Sequence, residues 1–457
     1  MAPAATTRVT ADALEPGRLA GTVVRLAWPV VVQQLGMTLV QLVDTFLVGH
    51  LGAPSLAGVG LASMLYWFPM AGAFAVGMGA TAVVARQVGA GHPEQSSRSL
   101  QQALRLAFLW GVALSVLFWA LASLLMRAMG ATPEVVELGA TYMRASVIGL
   151  TFASLLQAAS ACLVGAGDTR TPMLVMLLVN AVNGVLAYLL INGVGPFPQL
   201  GVMGSGLGYT LGNIAGMLVV LGLLARGHRG LRFRPRSALG WDSQESGRIL
   251  QVGLPAGIEQ LQFQLAFTVY TRIISGLGTT AIAAHQVALR VENLAFMPGM
   301  AFNVATMALV GQALGMGRPD LAQRVTVLAS RYAALSMTVI GVALIFLGAH
   351  ITRLFIDDTA VVELGRRLMF IFAFAMPGFG IMNTVSGALR GAGDTRSVLV
   401  IQALGVWGLR LFPAHVLANL VGLGAPGAWM AAVMDITIRS LLTIARFRQG
   451  KWKSIKL

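Results

Sequence analysis

The chain predicts an all-α integral membrane protein with twelve transmembrane helices, and three observations carry that prediction. With 56% hydrophobic residues, 11% charged residues and a mean hydropathy of +0.76, it lies far from the ordinary globular mix, in which roughly a quarter of residues are charged. Apolar runs of the length that crosses the hydrocarbon as helix, roughly 20 residues, fall near 22–48, 56–84, 102–126, 139–164, 171–193, 201–225, 249–274, 281–311, 326–350, 364–388, 397–420 and 427–446. The third observation is a repeat. Gly165-Ala166-Gly167-Asp168-Thr169-Arg170 returns as Gly391-Ala392-Gly393-Asp394-Thr395-Arg396, and 391 − 165 = 226, about half of 457 residues. Trp28-Pro29 and Leu254-Pro255, Leu51-Gly52 and Leu277-Gly278, and Pro93 and Pro319 keep the same register. The chain therefore reads as two copies of one six-span unit.

A formal charge of +15 invites a nucleic-acid reading, and the placement of the charges decides against it. Most of the 32 Lys and Arg fall in alternate loops, the positive-inside asymmetry, which sets both termini in the cytoplasm and the protein in the plasma (inner) membrane. Nucleic-acid binding needs a basic face on a soluble domain, and the sequence offers none. The organisation expected is a cytoplasmic segment 1–21, a first lobe 22–225, a basic cytoplasmic linker 226–248, a second lobe 249–446 and a basic cytoplasmic tail 447–457. The polar head Met1 to Gly21 leads into Trp28-Pro29 with no cleavage site, so the first run reads as a span and not a secretory signal. The one cysteine, Cys162, reads as packing.

The first span carries Gln33, Gln34, Gln41 and Asp44. Gln34, Met37, Gln41 and Asp44 follow helical spacing and form one stripe that must face protein or water. The second span holds Tyr66, Trp67, Phe68 and Pro69, which line a cavity or pack around a proline bend. Glycine permits the tight turn at each GAGDTR. There Asp168 and Asp394 are expected at the cytoplasmic surface beside Arg170 and Arg396, as hinge or gate residues. Asn180 and Asn183 lie three apart on the fifth span. The linker, with Arg226, Arg229, Arg232, Arg234, Arg236 and Arg248, reads as a topology and anionic-lipid anchor. The seventh span repeats the polar load with Glu259, Gln260, Gln262, Gln264 and Tyr270. Since 44 + 226 = 270, Asp44 maps onto Tyr270, and the lobes are expected to be functionally unequal.

Four acids lie within spans, and each needs a partner, water or a proton, because an ionised carboxylate at mid-bilayer costs roughly 2.5 to 3.5 kcal/mol on insertion scales. Asp435 and Arg439 are spaced i, i+4 with Arg410 one helix away, which reads as a structural ion pair. Glu292 has Arg290 two residues off, pointing another way. Asp44 has only amides and hydrocarbon on its stripe, the setting of a group that takes up and releases a proton, and Glu259 beside Gln260 and Gln262 is the second such candidate. His285 reads as a packed, hydrogen-bonded side chain. No metal-ligand cluster, phosphate loop or Ser-His-acid arrangement appears, so neither a resident cofactor nor an enzyme is expected.

Two like-oriented halves, Val43-Asp44-Thr45 in the first span, GAGDTR after the fourth and tenth, and Ala284-His285-Gln286 in the eighth resemble the MATE family of multidrug and toxic-compound exporters, over about residues 22 to 450. The resemblance implies two six-helix lobes around a central cavity. An even number of spans per half then gives parallel repeats related by a pseudo-two-fold along the membrane normal. It also implies export of amphipathic organic cations driven by inward H⁺ or Na⁺, with Asp44 the coupling carboxylate and Asn180 and Asn183 in the same site. This chain departs from family patterns at Ala187, where DinF-like members carry an acid, and at Phe379 and Phe263, where Na⁺-coupled drug exporters carry theirs.

The reading that results is a secondary active antiporter working by alternating access, H⁺-coupled in preference to Na⁺, with the cation site at Asp44, Asn180, Asn183, Gln34 and Gln41. Glu259, Gln262, Tyr270, Gln286, Glu292 and Tyr66 are candidates for the substrate cavity or a second-lobe site. Any Na⁺ near Asp44 is cargo, and no structural metal is expected. The partners are small amphipathic substrates and membrane lipids, and the protein is expected to be a monomer. The rivals are a lipid-linked precursor flippase, a channel and an integral-membrane enzyme.

Overall fold

Proline at the first helical position, where its missing N–H would be unsatisfied anyway, starts α4 (Pro93–Ala128), α5 (Pro133–Gly165) and α10 (Pro319–Arg353). The computed structural model describes residues 16–234 and 240–455. The polar segment up to residue 15, residues 235–239 with Arg236 of the linker, and residues 456–457 of the tail lie outside the described residues. The other helices are α1 (Pro16–Gly49), α2 (Ala53–Leu65), α3 (Trp67–Gly89), α6 (Arg170–Asn192), α7 (Val202–Arg226), α8 (Ser243–Ser275), α9 (Thr279–Gly315), α11 (Thr359–Ala373), α12 (Met376–Gly391), α13 (Thr395–Ala403), α14 (Phe412–His415) and α15 (Gly424–Arg448). Wider π turns at Leu404–Leu411 and Val416–Leu420 flank α14, where Pro413 has no N–H to give.

Ten of these segments are long and apolar enough to cross a membrane, eleven when α11 and α12, bent by 50°, are taken as one. The predicted seventh span is α8, whose Glu245, Arg248, Glu259 and four glutamines between 251 and 264 make it the polar exception. The predicted second span is two helices parted at Tyr66. The repeat reaches the helix ends: α3 and α9 stop at Gly89 and Gly315, and α5 and α12 at Gly165 and Gly391, each pair 226 apart (315 − 89; 391 − 165).

Residues 32–257 form one compact unit, and residues 258–455 with 16–31 form the other. The division falls inside α1 and α8, two residues after Pro29 and Pro255, where a proline removes one helical hydrogen bond. The first unit packs around Leu100, Leu163, Met217 and Leu224, and around Met126, Met143 and Ile191. The first turns of α8 belong to it. Buried Glu245 accepts from Gln87 Nε2 at 2.9 Å, Ser99 Oγ at 2.7 Å and Arg248 Nη1 at 2.8 Å. At Gly79 a Cβ would strike the Ile249 carbonyl, the close backbone approach by which small residues join membrane helices. The second unit packs around Phe372, Met376 and Trp429, and around Leu309, Val325 and Leu389 with Leu19, Val23 and Leu26 of α1. Cys162 is fully buried, as its reading as packing required.

Candidate functional site

In the first unit, α1 meets α6 along Gly36, Val43 and Asp44. A Cβ on Gly36 would come within 3.0 Å of Asn180 Nδ2, and Val43 packs against Gly184. Positions 36, 43 and 44 share a face because seven or eight residues bring a helix back to nearly the same side. Of the expected stripe, Met37 and Gln41 are exposed, and Asp44 bonds α6. Asn183 Nδ2 donates to Asp44 Oδ2 at 3.3 Å. Asp44 Oδ1, Asn183 Oδ1 and Asn180 Nδ2 are buried and have no hydrogen-bond partner among the described residues. Asp44 interacts electrostatically with Tyr142 of α5, whose ring centroid lies 6.3 Å from that of Tyr66. The Tyr66 hydroxyl bonds the Met143 carbonyl at 3.0 Å and Ser146 Oγ. The group thus offers one carboxylate surrounded by amides and phenols.

The second unit treats its acids differently. Asp435 is fully buried and held from two sides, by Arg410 Nε at 3.0 Å and Arg439 Nε at 2.6 Å, which is the ion pair expected from the spacing, joined by Arg410. Arg439 also bonds Gln402. Arg410, in the π turn, lies 5.9 Å from the Tyr270 ring centroid and within electrostatic reach of Glu292. The Tyr270 hydroxyl has no hydrogen-bond partner among the described residues. His285 is fully buried and accepts from Trp429 Nε1 at 3.3 Å, as a packed histidine should. Glu259, grouped with Asp44 as an acid among amides, instead meets Arg390 Nη2 at 2.6 Å. Gln262 is half-buried and Gln286 exposed.

Each GAGDTR ends a helix in the same way. Gly167 and Gly393 take φ of 83° and 92°, and the next amide, of Asp168 or Asp394, reaches back to the carbonyl of Leu163 or Leu389 at 2.9 and 2.8 Å, a Schellman turn that needs glycine at its left-handed position. The aspartates, expected at the surface, are buried, and each is held by donors within three residues of it and by basic side chains from further along the chain. Asp168 accepts from the amides of Arg170 and Thr171 at 3.1 Å, from Thr171 Oγ1 at 2.6 Å and from His228 Nε2 at 2.7 Å, with Arg229 Nε at 3.8 Å. Asp394 accepts from Ser397 Oγ at 2.6 Å and Arg446 Nε at 2.7 Å. Burial pushes the Asp168 carboxyl up, but the donors from Thr171 and His228 and the Arg229 charge outweigh it and hold the group below its ordinary value.

The MatE family model matches the chain twice, over residues 29–189 and 255–416. The chain belongs to the MatE family. The two matches start 226 residues apart (255 − 29), so the family unit is the repeat itself. This MATE chain is a multi-pass membrane transporter and not an enzyme. It is 30% identical over 434 residues to a probable multidrug resistance protein NorM of Thermotoga maritima, covering 94% of this chain and 92% of the relative. It is 28% identical over 444 residues to the multidrug resistance protein PmpM of Pseudomonas aeruginosa, covering 94% and 91%. Its fold matches that of a MOP superfamily transporter from Pyrococcus furiosus with a TM-score of 0.88 at 23% identity, over 97% and 98% of the two chains. The bent form of the Vibrio cholerae MATE transporter VcmN also matches, with a TM-score of 0.88 at 20% identity, over 95% and 97%.

Among the residues of these clusters that the sequence reading did not single out are Arg390, Tyr142 and His228. Arg390 stands where the first half has Val164 (390 − 226), and a guanidinium within an apolar run was a signal that Glu259 had a partner. Tyr142 carried no such signal, since nothing in its neighbourhood in the sequence points to Asp44. His228 lies in the basic linker, where charge alone drew notice.

Proposed function

We propose that this MATE protein exports amphipathic organic cations by H⁺-coupled antiport, with Asp44 as the group that alternates between proton and charge. The observation that carries the reading is the contrast in partners. Two of the other intramembrane acids, Glu259 and Asp435, bond arginines, whereas Asp44 meets the Asn183 amide. A buried carboxylate balanced by a guanidinium has no need of a proton, and one balanced only by amides has. One carboxylate and one amide oxygen make a sparse cage for Na⁺, while a proton needs a single oxygen, so H⁺ is favoured. The relatives' names as multidrug resistance proteins support the substrate class. A monomer in the plasma (inner) membrane with cytoplasmic termini completes the reading. A lipid-linked flippase would want free cationic charge for a pyrophosphate, and Arg390, Arg410 and Arg439 are all engaged by acids.

Protonation of Asp44 from outside turns an acceptor into a donor, changes its bonding to Asn183 and removes the charge that attracts a cationic substrate. Release of the proton inside restores it. The test is drug-dependent proton efflux from everted vesicles, with pH and Na⁺ gradients varied separately. Wild-type protein should respond to the pH gradient and Asp44→Asn should lose the response while keeping its melting temperature. Normal coupling in Asp44→Asn, or transport that follows Na⁺ alone, would overturn the proposal.

A further inference from the structure

The two GAGDTR turns differ in what covers them. Over the first, a short hairpin closes: His228 and Leu231 exchange backbone bonds at 2.9 Å, Phe233 N reaches the Leu224 carbonyl, and His228 and Arg229 stand on Asp168. His228 also approaches Thr171 Oγ1 at 3.4 Å. Over the second no such hairpin lies among the described residues. Asp394 is held by Arg446 from α15, and Ser397, the counterpart of Thr171, opens into a groove of about 440 Å³ between α13 and α15.

The lining has two characters. Arg396, Arg446 and Gln449 make one end, and Val400, Ile401 and Leu442 the wall. The i, i+4 spacing of 396 with 400 and of 442 with 446 puts charge and apolar surface on one continuous stripe of each helix. Arg446 gives Nε to Asp394 and Nη1 to Gln449. Arg396 is exposed and has no ion pair among the described residues. Val400 and Leu442 are 54% and 42% exposed, and the apolar face runs on through Leu404 and Leu441.

We propose that this groove binds one anionic phospholipid, with its phosphodiester on Arg396 and Arg446 and an acyl chain along Val400, Ile401 and Leu442. The exposed Arg396 fork matches phosphate oxygens in charge and geometry, and Arg446, with Nε and Nη1 engaged, adds Nη2. A free inorganic anion would leave the apolar wall unused, and a zwitterionic lipid would bring an ammonium of its own that offsets the phosphodiester's charge beside Arg396. The inference is independent of the coupling ion and of Asp44.

Full-length protein in detergent, titrated with phosphatidylglycerol, phosphatidylcholine of matched chains and inorganic phosphate, and read by native mass spectrometry, tests it. Phosphatidylglycerol should be retained in preference to phosphatidylcholine. Arg396→Gln should weaken its retention about five-fold, the size of one basic side chain's attraction at an anionic surface, and Arg396→Lys should keep most of it. Ile401→Trp, which fills the apolar wall, should also lose the lipid. Equal retention of the two lipids, unchanged retention in Arg396→Gln, or displacement of phosphatidylglycerol by millimolar phosphate overturns the proposal. If the melting temperature shows Arg396→Gln misfolded, the decision passes to Ile401→Trp and the lipid ratio on wild type.

Discussion

The guanidinium of Arg410 lies 5.9 Å from the ring centroid of Tyr270, one position along the repeat from where the other half sets Asn183 against Asp44. Tyr270 follows Asp44 by 226 residues, and Glu292 follows Tyr66 by 226 (292 − 66). An acid and a tyrosine have traded positions between the halves, and the traded acid has acquired an arginine. One half keeps its carboxylate among neutral groups and the other sets its own within electrostatic reach of Arg410.

That exchange predicts a double-mutant outcome. Removing one partner of a buried charge pair strands the other, typically at about 3 to 5 kcal/mol. Arg410→Met leaves Glu292 without its nearby cation and should lower the melting temperature steeply. Adding Glu292→Gln should recover part of the loss, because Asp435 still has Arg439 at 2.6 Å. Additive losses, measured by thermal unfolding in detergent, would show that Glu292 and Arg410 do not couple.

The pair Glu259–Arg390 gives a second test. Glu259→Gln alone should destabilise, leaving Arg390, 9% exposed, without its carboxylate. Glu259→Gln with Arg390→Met replaces both charges, a change that is often near neutral, and should restore stability with proton-coupled efflux retained. Loss of coupling in the stable double variant would make Glu259 a proton carrier beside Asp44.

Asp168 predicts a pH dependence. Its folded-state value lies below the ordinary 3.8, so its contribution to stability is fully present above pH 3.8 and is lost as the pH falls through the lower folded value. At pH 7, Asp168→Asn should cost about 1 to 3 kcal/mol through the donors left unsatisfied. His228→Ala, which removes only one donor, should cost less. Melting curves of wild type and Asp168→Asn should draw together as the pH falls from 3.8 and meet below the lower folded value, and a gap that persisted there would assign the cost to packing and not to charge.

The turns themselves can be probed at Gly393. With φ of 92°, Gly393→Ala should cost about 1 to 2 kcal/mol, the penalty for a side chain in the left-handed region. Gly387→Ala clashes instead with the Asn303 backbone, so its loss should depend on how α9 and α12 pack. Comparing the two by hydrogen exchange at the second GAGDTR should show local opening for the first and slackening of the α9–α12 contact for the second.

The sequence by itself determined the fold class, the duplication and the unequal halves, because these rest on local composition and on a fixed offset. Apolar runs specify spans wherever backbone groups must be satisfied within the segment, and the recurrence of GAGDTR set a register that the helix ends keep. The prominence of Asp44 and the Asp435–Arg439 pair were legible for the same reason, since each involves residues within a turn or two of one another. Only the tertiary structure decided the partners that come from other helices. Arg390 lies 131 residues from Glu259, and His228 lies 60 from Asp168. Such pairings follow from which helix faces meet, and packing sets those, so an acid that reads as bare along its own helix, as Glu259 does, can stand against a guanidinium carried by another.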